Sequence, residues 1–204
     1  MKKQIQIPIY AIVFLCAGAY ANAATTFNFH DGSNKIDTGL VFETESGPIT
    51  DTVGGITLTA EAFSGGTSSG DVFNGNAGGF GINGGPTGDE TERFDNDNAR
   101  ETMEFSFDTA GTFDSIDLRY IEKSADEGEL VFGGGGNTFQ LNNSTSDLSG
   151  DAFTIGESFT AGQDITLGIS SSAAAGENFS LESFTVTPVP EPGHYAALLG
   201  LFSL

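Results

Sequence analysis

Basic residues are scarce in this sequence. Lys and Arg together number 7 among 204 residues, against 28 Asp and Glu, and the formal charge at pH 7 is −21. Nucleic acids and anionic membrane surfaces are bound through clustered Lys and Arg, which neutralise phosphates. We therefore exclude nucleic acid as a partner. A charge of this sign and size favours solubility and attracts cations.

Cysteine, histidine and tryptophan are also nearly absent. The single cysteine, Cys16, lies in an N-terminal segment that we expect to be removed, which would leave the mature protein with no disulfide and no cysteine nucleophile. Only His30 and His194 are present, so a histidine-rich zinc site is excluded and a Ser-His-Asp triad would depend on His30. Without Trp, a sugar site would have to stack on Phe or Tyr. We predict that the protein is not an enzyme, and a glycan-acting enzyme is the least favoured alternative because no carboxylate pair can be selected among 28 acidic residues.

The N-terminus has the order of a secretory signal peptide. A positive start, an apolar run and an A-x-A cleavage site follow one another, formed by Lys2 and Lys3, by residues 7–19, and by Ala21-Asn22-Ala23. We expect signal peptidase to cleave after Ala23. Cleavage leaves five basic against 28 acidic residues, a formal charge of 5 − 28 = −23. We divide the chain into a signal peptide (1–23), a folded domain (24–187) and a C-terminal tail (188–204).

The body of the chain is predicted to be all-β. Apolar residues recur with period two, as in "GITLTAEAF" from residue 55 and "ETMEFSFD" from residue 101, and this spacing is typical of strands with one buried face. Gly, Asn, Asp and Ser separate roughly ten such segments. We predict an antiparallel β-sandwich, preferably with jelly-roll topology, over an immunoglobulin-like sandwich or a β-solenoid.

The last predicted strand, "NFSLESFTVTP", changes phase along its length. Phe179 and Leu181 share one face, whereas Phe184 and Val186 share the other. An extra residue in one strand shifts every following side chain to the opposite face, so we predict a β-bulge at residues 182–183.

Two glycine-rich segments are given simple structural interpretations. "GFGING", from Gly79 to Gly84, fits a dinucleotide-binding pattern, but the glycines and Pro86 that follow prevent the helix that such a site requires. We interpret the match as chance, in a flexible loop. "GGGG", from Gly133 to Gly136, is predicted to be a hairpin turn.

An acidic segment, "TGDETERFDNDNARE", is the one candidate metal site. Its carboxylates and Asn side chains are the hard oxygen ligands that Ca²⁺ prefers. The spacing matches no known calcium loop, so the candidate ligands Asp89, Asp95 and Asp97 stand beside the alternative of a solvated acidic loop.

The tail resembles the PEP-CTERM sorting signal of exosortase substrates. The resemblance rests on Pro190, Glu191 and Pro192, followed by the apolar run "YAALLGL". The family's signal ends in an Arg cluster, whereas this run stops at Leu204, so the tail matches only part of the signal. The segment from "RFDNDNARETMEFSFD" to "FDSIDL" also looks like the β-rich exported domains that precede such tails.

The resemblance implies a location rather than an activity. Proteins with this signal are exported by Gram-negative bacteria that make exopolysaccharide, associate transiently with the inner membrane, and are processed by an exosortase-like sorting protease. They then reach the cell surface or extracellular matrix. We therefore expect a non-enzymatic surface or matrix protein associated with exopolysaccharide or biofilm, and as the alternative a carbohydrate-binding module stabilised by calcium.

Overall fold

Fourteen β-strands and no helix are formed by the residues that the computed structural model describes, which are 23–29, 45–46, 48–65, 72–76, 79–83, 93–96, 99–119, 121, 128–142, 151–173 and 178–189. The strands are β1 (Thr25–Asn28), β2 (Glu45–Ser46), β3 (Ile49–Val53), β4 (Ile56–Ser64), β5 (Val72–Asn76), β6 (Gly79–Asn83), β7 (Phe94–Asp95), β8 (Glu101–Phe107), β9 (Gly111–Arg119), β10 (Gly128–Phe132), β11 (Thr138–Leu141), β12 (Asp151–Phe159), β13 (Ile165–Ile169) and β14 (Asn178–Pro188).

The strands form two antiparallel sheets. Sheet one has the order β12-β9-β14-β6-β5-β2, with β1 and β7 also paired to β14, and sheet two has the order β11-β10-β13-β8-β4-β3. The long strand β14 pairs with β9 along one side. Along its other side it pairs in turn with β7, β6 and β1. The prediction of an all-β antiparallel sandwich is confirmed.

The strand order is that of a jelly roll with additional strands. β1, β6 and β7 all pair with the same side of β14, so they can be counted as one strand position. With that count, the four central positions of sheet one are β1/β6/β7, β14, β9 and β12. Those of sheet two are β8, β13, β10 and β11. From β7 onward the chain alternates between the sheets, with the β10–β11 hairpin as its one same-sheet connection. This alternation is how a jelly roll winds two Greek keys.

Phenylalanine rings join the inner faces of the two sheets. The alternating residues of β4 and β8 that the sequence placed on one face are buried, which confirms those assignments. Phe184 of sheet one stacks on Phe105 of sheet two with ring centroids 5.3 Å apart, and meets Phe107 edge-on at 5.7 Å. Such contacts between aromatic rings add to the stabilisation from burying their apolar surface.

The predicted bulge in β14 is present. Its pairing with β9 shifts register between Leu181 and Ser183, so that Glu182 is the extra residue. The shift lets Leu181 and Phe184 both point into the core. A second bulge interrupts β12 between Thr154 and Glu157.

One glycine-rich segment folds as predicted and the other does not. Gly133–Gly135 form the turn between β10 and β11, with φ values of 71° at Gly134 and 90° at Gly135 that favour glycine. The assignment of "GFGING" to a flexible loop is wrong, because Gly79–Asn83 form strand β6, with Phe80 and Ile82 buried. Pairing with β5 and β14 overrides the low β-propensity of its glycines.

Candidate functional site

One end of the sandwich brings together polar side chains that are buried or half-buried. There β7 pairs with the start of β14, with Asp95 opposite Asn178 and Phe94 opposite Phe179. The Phe94 and Phe179 rings stack with centroids 5.0 Å apart and fix β7 in place. We call the following residues the polar end: Arg93, Asp95, Asn96, Arg100, Glu101, Glu129, Ser170 and Asn178.

Two carboxylates lie inside the polar end. The exposed fractions of Asp95 and Glu101 are 2% and 1%. The backbone N–H of Asp95 donates to Glu101 Oε2 at 3.1 Å, which ties together the two ends of the segment between β7 and β8. A carboxylate is expensive to bury unless hydrogen bonds or cations replace its water. The Glu101 carboxylate therefore holds the segment closed, and with Asp95 it supplies oxygen atoms of the kind that bind Ca²⁺.

Two arginines lie close in sequence to the carboxylates and bind groups on other strands. Arg100 donates from Nε to the carbonyl of Ile169 at 2.5 Å and forms an ion pair with Glu129. Burial lowers the pKa of Arg100, whose guanidinium remains charged at neutral pH. Arg93 donates from Nη1 to Asn178 Oδ1 at 2.7 Å. Arg100, directly before β8, thus connects to β13 and β10, and Arg93, directly before β7, connects to β14.

The loop after β13 completes the polar end. The Ser172 backbone N–H donates to Ser170 Oγ at 3.3 Å, and the two hydroxyls lie 2.9 Å apart. Asn96 donates from Nδ2 to the carbonyl of Ala173 at 3.4 Å. Side chains of this kind commonly fix the backbone of turns, so the loop is positioned by its own polar groups.

Only one of the three predicted calcium ligands can be placed. Asp95 is buried in the polar end, whereas Asp89 and Asp97 lie outside the described residues. Among the residues that the structure does describe, no group of three or more His, Cys, Asp and Glu is arranged to hold a metal ion. Of the residues predicted to direct processing, Ala23 is exposed, while Ala21, Pro190, Glu191 and Pro192 lie outside the described ranges.

Glu101 is a site residue that the sequence analysis did not select. It was one of several acidic residues in the segment, but it shares the period-two phase of Met103, Phe105 and Phe107, whose side chains are all buried. A residue in that phase faces the core. The alternation therefore contained the signal that Glu101 is buried.

A second acidic cluster lies on the outer face of sheet two. Glu61 of β4 is directly opposite Glu104 of β8 in the strand register. Partial burial, together with the charges of Asp164 and Glu61, raises the pKa of Glu104 above its ordinary value. This cluster is solvent-facing, unlike the carboxylates of the polar end.

The fold and the polar end define an antiparallel β-sandwich with a jelly-roll strand order, closed at one end by a network of carboxylates and arginines. Compared with known proteins, the chain matches no family model, no curated protein and no solved structure. In the part of the chain that the structure describes, no helix is long and apolar enough to cross a membrane.

Proposed function

We propose that the chain is a non-enzymatic protein of the cell surface or extracellular matrix of a Gram-negative bacterium, sorted by exosortase-like processing and associated with exopolysaccharide or biofilm. The observation that carries the proposal is that one chain contains both an A-x-A sequence after an apolar run and a Pro-Glu-Pro motif before another apolar run. These are Ala21-Asn22-Ala23 near the N-terminus and Pro190-Glu191-Pro192 near the C-terminus. Between them lies a strongly acidic β-sandwich.

The last described residues support the sorting proposal. β14 ends at Pro188, and the Val189 N–H donates to the carbonyl of Ala110 at 2.9 Å. Val189 is the one exposed large hydrophobic residue among those described. Pro190 follows at once, so the sorting motif begins directly after a residue that is bonded to the sandwich. Proline disfavours regular structure, and this suits a segment that a protease must bind in extended form.

The outer faces of the sheets support association with hydrated polymers. Cross-strand hydroxyl pairs occur on both sheets, with Thr26 and Thr185 oxygens 3.0 Å apart and Thr52 and Thr57 oxygens 3.1 Å apart. Hydroxyl-rich surfaces can exchange hydrogen bonds with sugars and water alike.

The sorting proposal is tested by replacing Pro190, Glu191 and Pro192 together with alanine in the complete gene, in a host that has an exosortase. We expect the precursor to accumulate in the membrane fraction, measured by immunoblotting of membrane, surface and medium fractions. Pro48→Ala, a change at an exposed proline outside the motif, should leave sorting intact. Normal release of the triple variant would contradict the proposal.

The alternative function is a carbohydrate-binding module stabilised by calcium. It is favoured by the burial of Asp95 beside Glu101, since two buried carboxylates at one end of a β-sandwich would gain from a bound cation. Further ligands would come from loop carbonyls, amide side chains and Asp89 or Asp97.

The calcium proposal is tested by thermal melting of the full chain. We expect the melting temperature to rise with CaCl₂ beyond its value in NaCl of the same ionic strength, because a ligand that binds the folded state stabilises it. Asp95→Asn should abolish this difference. Asp164→Asn, which removes an exposed carboxylate from the outer face of sheet two, should preserve it. Equal melting in the two salts would exclude a site linked to folding.

A further inference from the structure

Six strands have one side unpaired among the described strands, and five of these six are poorly suited to pairing with another chain. β2 and β7 have two residues each, and β1 and β11 have four each. β12 is bulged at Ile155 and Gly156, where φ of Gly156 is 68°. Short strands and bulges are common protections of sheet edges. β3 has neither: it is five residues long, pairs with β4 without a register shift, and in the described part of the chain no strand pairs with its other side.

Asp51 occupies the middle of this open edge strand and faces inward. Its exposed fraction is 7%, whereas its neighbours Thr50 and Thr52 are exposed. The Oδ2 atom of Asp51 is buried and has no hydrogen-bond partner among the described residues. An apolar residue would be expected at such a position, because a buried carboxylate without full hydrogen bonding lowers stability.

The other carboxylate oxygen of Asp51, Oδ1, accepts a hydrogen bond from the backbone at the unpaired edge of β3. The Thr57 N–H donates to Asp108 Oδ1 at 2.9 Å, and the Thr57 carbonyl accepts the Asp108 N–H at 3.0 Å, so both backbone groups of Thr57 point away from β3. Opposite residues of an antiparallel pair either bond each other or both face away. The N–H of Thr52, which lies opposite Thr57, therefore faces the open edge. There it donates to Asp51 Oδ1 at 2.7 Å.

We propose that Asp51 protects the open edge of sheet two against strand addition by a second copy of this chain. An added strand would have to accept a hydrogen bond from the Thr52 N–H, which already donates to Asp51. It would also cover the Asp51 carboxylate and remove its remaining contact with water. Both effects oppose pairing. Without them, two β3 strands would meet antiparallel about a two-fold axis and join two copies of sheet two into one continuous sheet.

The test is sedimentation of the full chain carrying Asp51→Val, compared with the wild type over the same concentration range. We expect the variant to melt at a higher temperature when dilute, and to sediment with about twice the wild-type mass or more when concentrated. Asp51→Ala also removes both the charge and the acceptor without adding bulk, so it carries the same test if the valine variant does not fold.

Two further variants show whether association uses the β3 edge. Thr50 is two residues from Thr52, so its N–H faces the same open side, and proline at an edge strand removes such a donor without breaking the ladder. Adding Thr50→Pro to Asp51→Val should restore the wild-type mass. Thr50→Val alone, which adds an exposed apolar side chain to β3 but keeps Asp51, should also sediment as wild type. A wild-type mass for both Asp51 variants, or association that persists with Thr50→Pro, would overturn the proposal.

Discussion

Glu104, on the outer face of sheet two, has a pKa raised by partial burial and by two neighbouring carboxylates. Burial, Asp164 and Glu61 all raise its pKa, so the folded protein holds this proton more tightly than the unfolded chain does. Ionisation of Glu104 consequently disfavours the folded state. Its contribution to stability falls as pH rises from the ordinary glutamate pKa through the raised one.

Glu104→Gln should stabilise the protein at pH 7 by about 0.5 kcal/mol, the scale of an exposed cross-strand charge pair. The gain should vanish near pH 3, roughly a unit below the ordinary pKa, where Glu104 is protonated in both states. Urea denaturation at both pH values measures it. As a control of opposite sign, Glu182→Gln removes an ion pair with Arg119 and should not stabilise at pH 7. Equal gains from Glu104→Gln at both pH values would show that ionisation of Glu104 is not the cause.

Single residues also show how far the sequence could define the site. The composition of the acidic segment indicated a cluster of oxygen ligands, but not that Asp95 would be buried. Its burial follows from β7, a two-residue strand that exists because Phe94 packs on Phe179 of the distant strand β14. A contact between residues so far apart in the chain leaves no local sequence pattern. The burial of Glu101, in contrast, could have been predicted, because Glu101 alternates in phase with the buried apolar residues of β8.

At the scale of elements, the β3–β4 hairpin depends on two glycines. Gly54 and Gly55 have φ values of 58° and 83°, the combination that a two-residue type I′ turn requires. A Cβ atom on Gly54 would lie 2.7 Å from Thr25 Oγ1, whereas one on Gly55 would meet nothing within 4 Å. The two positions therefore share backbone strain but differ in available space.

Gly55→Ala should lower the free energy of unfolding by about 1 kcal/mol, the scale of a left-handed conformation for a residue with Cβ. Gly54→Ala should cost more, because Thr25 must also move. Gly55→Asn should cost less than Gly55→Ala, since Asn tolerates this conformation. Denaturation of the three variants in urea gives the order, and equal costs for the two alanine variants would exclude the clash with Thr25.

Strands were predictable where apolar residues alternate and were missed where they do not. β4, β8 and the bulged β14 follow from period two. β5 and β6 were missed because Gly and Asn fill many of their positions and their pairing comes from the tertiary structure. β3 was missed because Asp51 stands where the pattern requires an apolar residue. Asp51, which interrupts the apolar alternation of β3, is also the residue that we propose protects its edge.

At the scale of the whole molecule, Phe184 links the two sheets. Its ring lies 5.2–5.7 Å, between centroids, from those of Phe27, Phe29, Phe105, Phe107 and Phe113. Sheet one supplies Phe184, Phe27 and Phe113, and sheet two supplies Phe105 and Phe107. Loss of this ring should weaken both sheets together.

Phe184→Ala should lower the free energy of unfolding by about 3–5 kcal/mol, the range for a buried Phe. The loss should appear as one shifted transition in circular dichroism and in amide exchange of strands from both sheets. Phe153→Ala, at a half-buried position of edge strand β12, is the matched control and should cost clearly less. Similar losses for the two variants would contradict a core centred on Phe184.

The position of β14 also limits when sheet one can be completed during folding. β14 is the last strand among the described residues and the only described partner of β1 and of β7, so Thr26 must pair with Thr185 across 159 residues. Pairing between such distant residues is slow because a long loop must close first. β1 therefore cannot pair until β14 is available. Until Asn178–Pro188 is available to pair, β9 on one side of β14 cannot be joined to β1, β6 and β7 on the other.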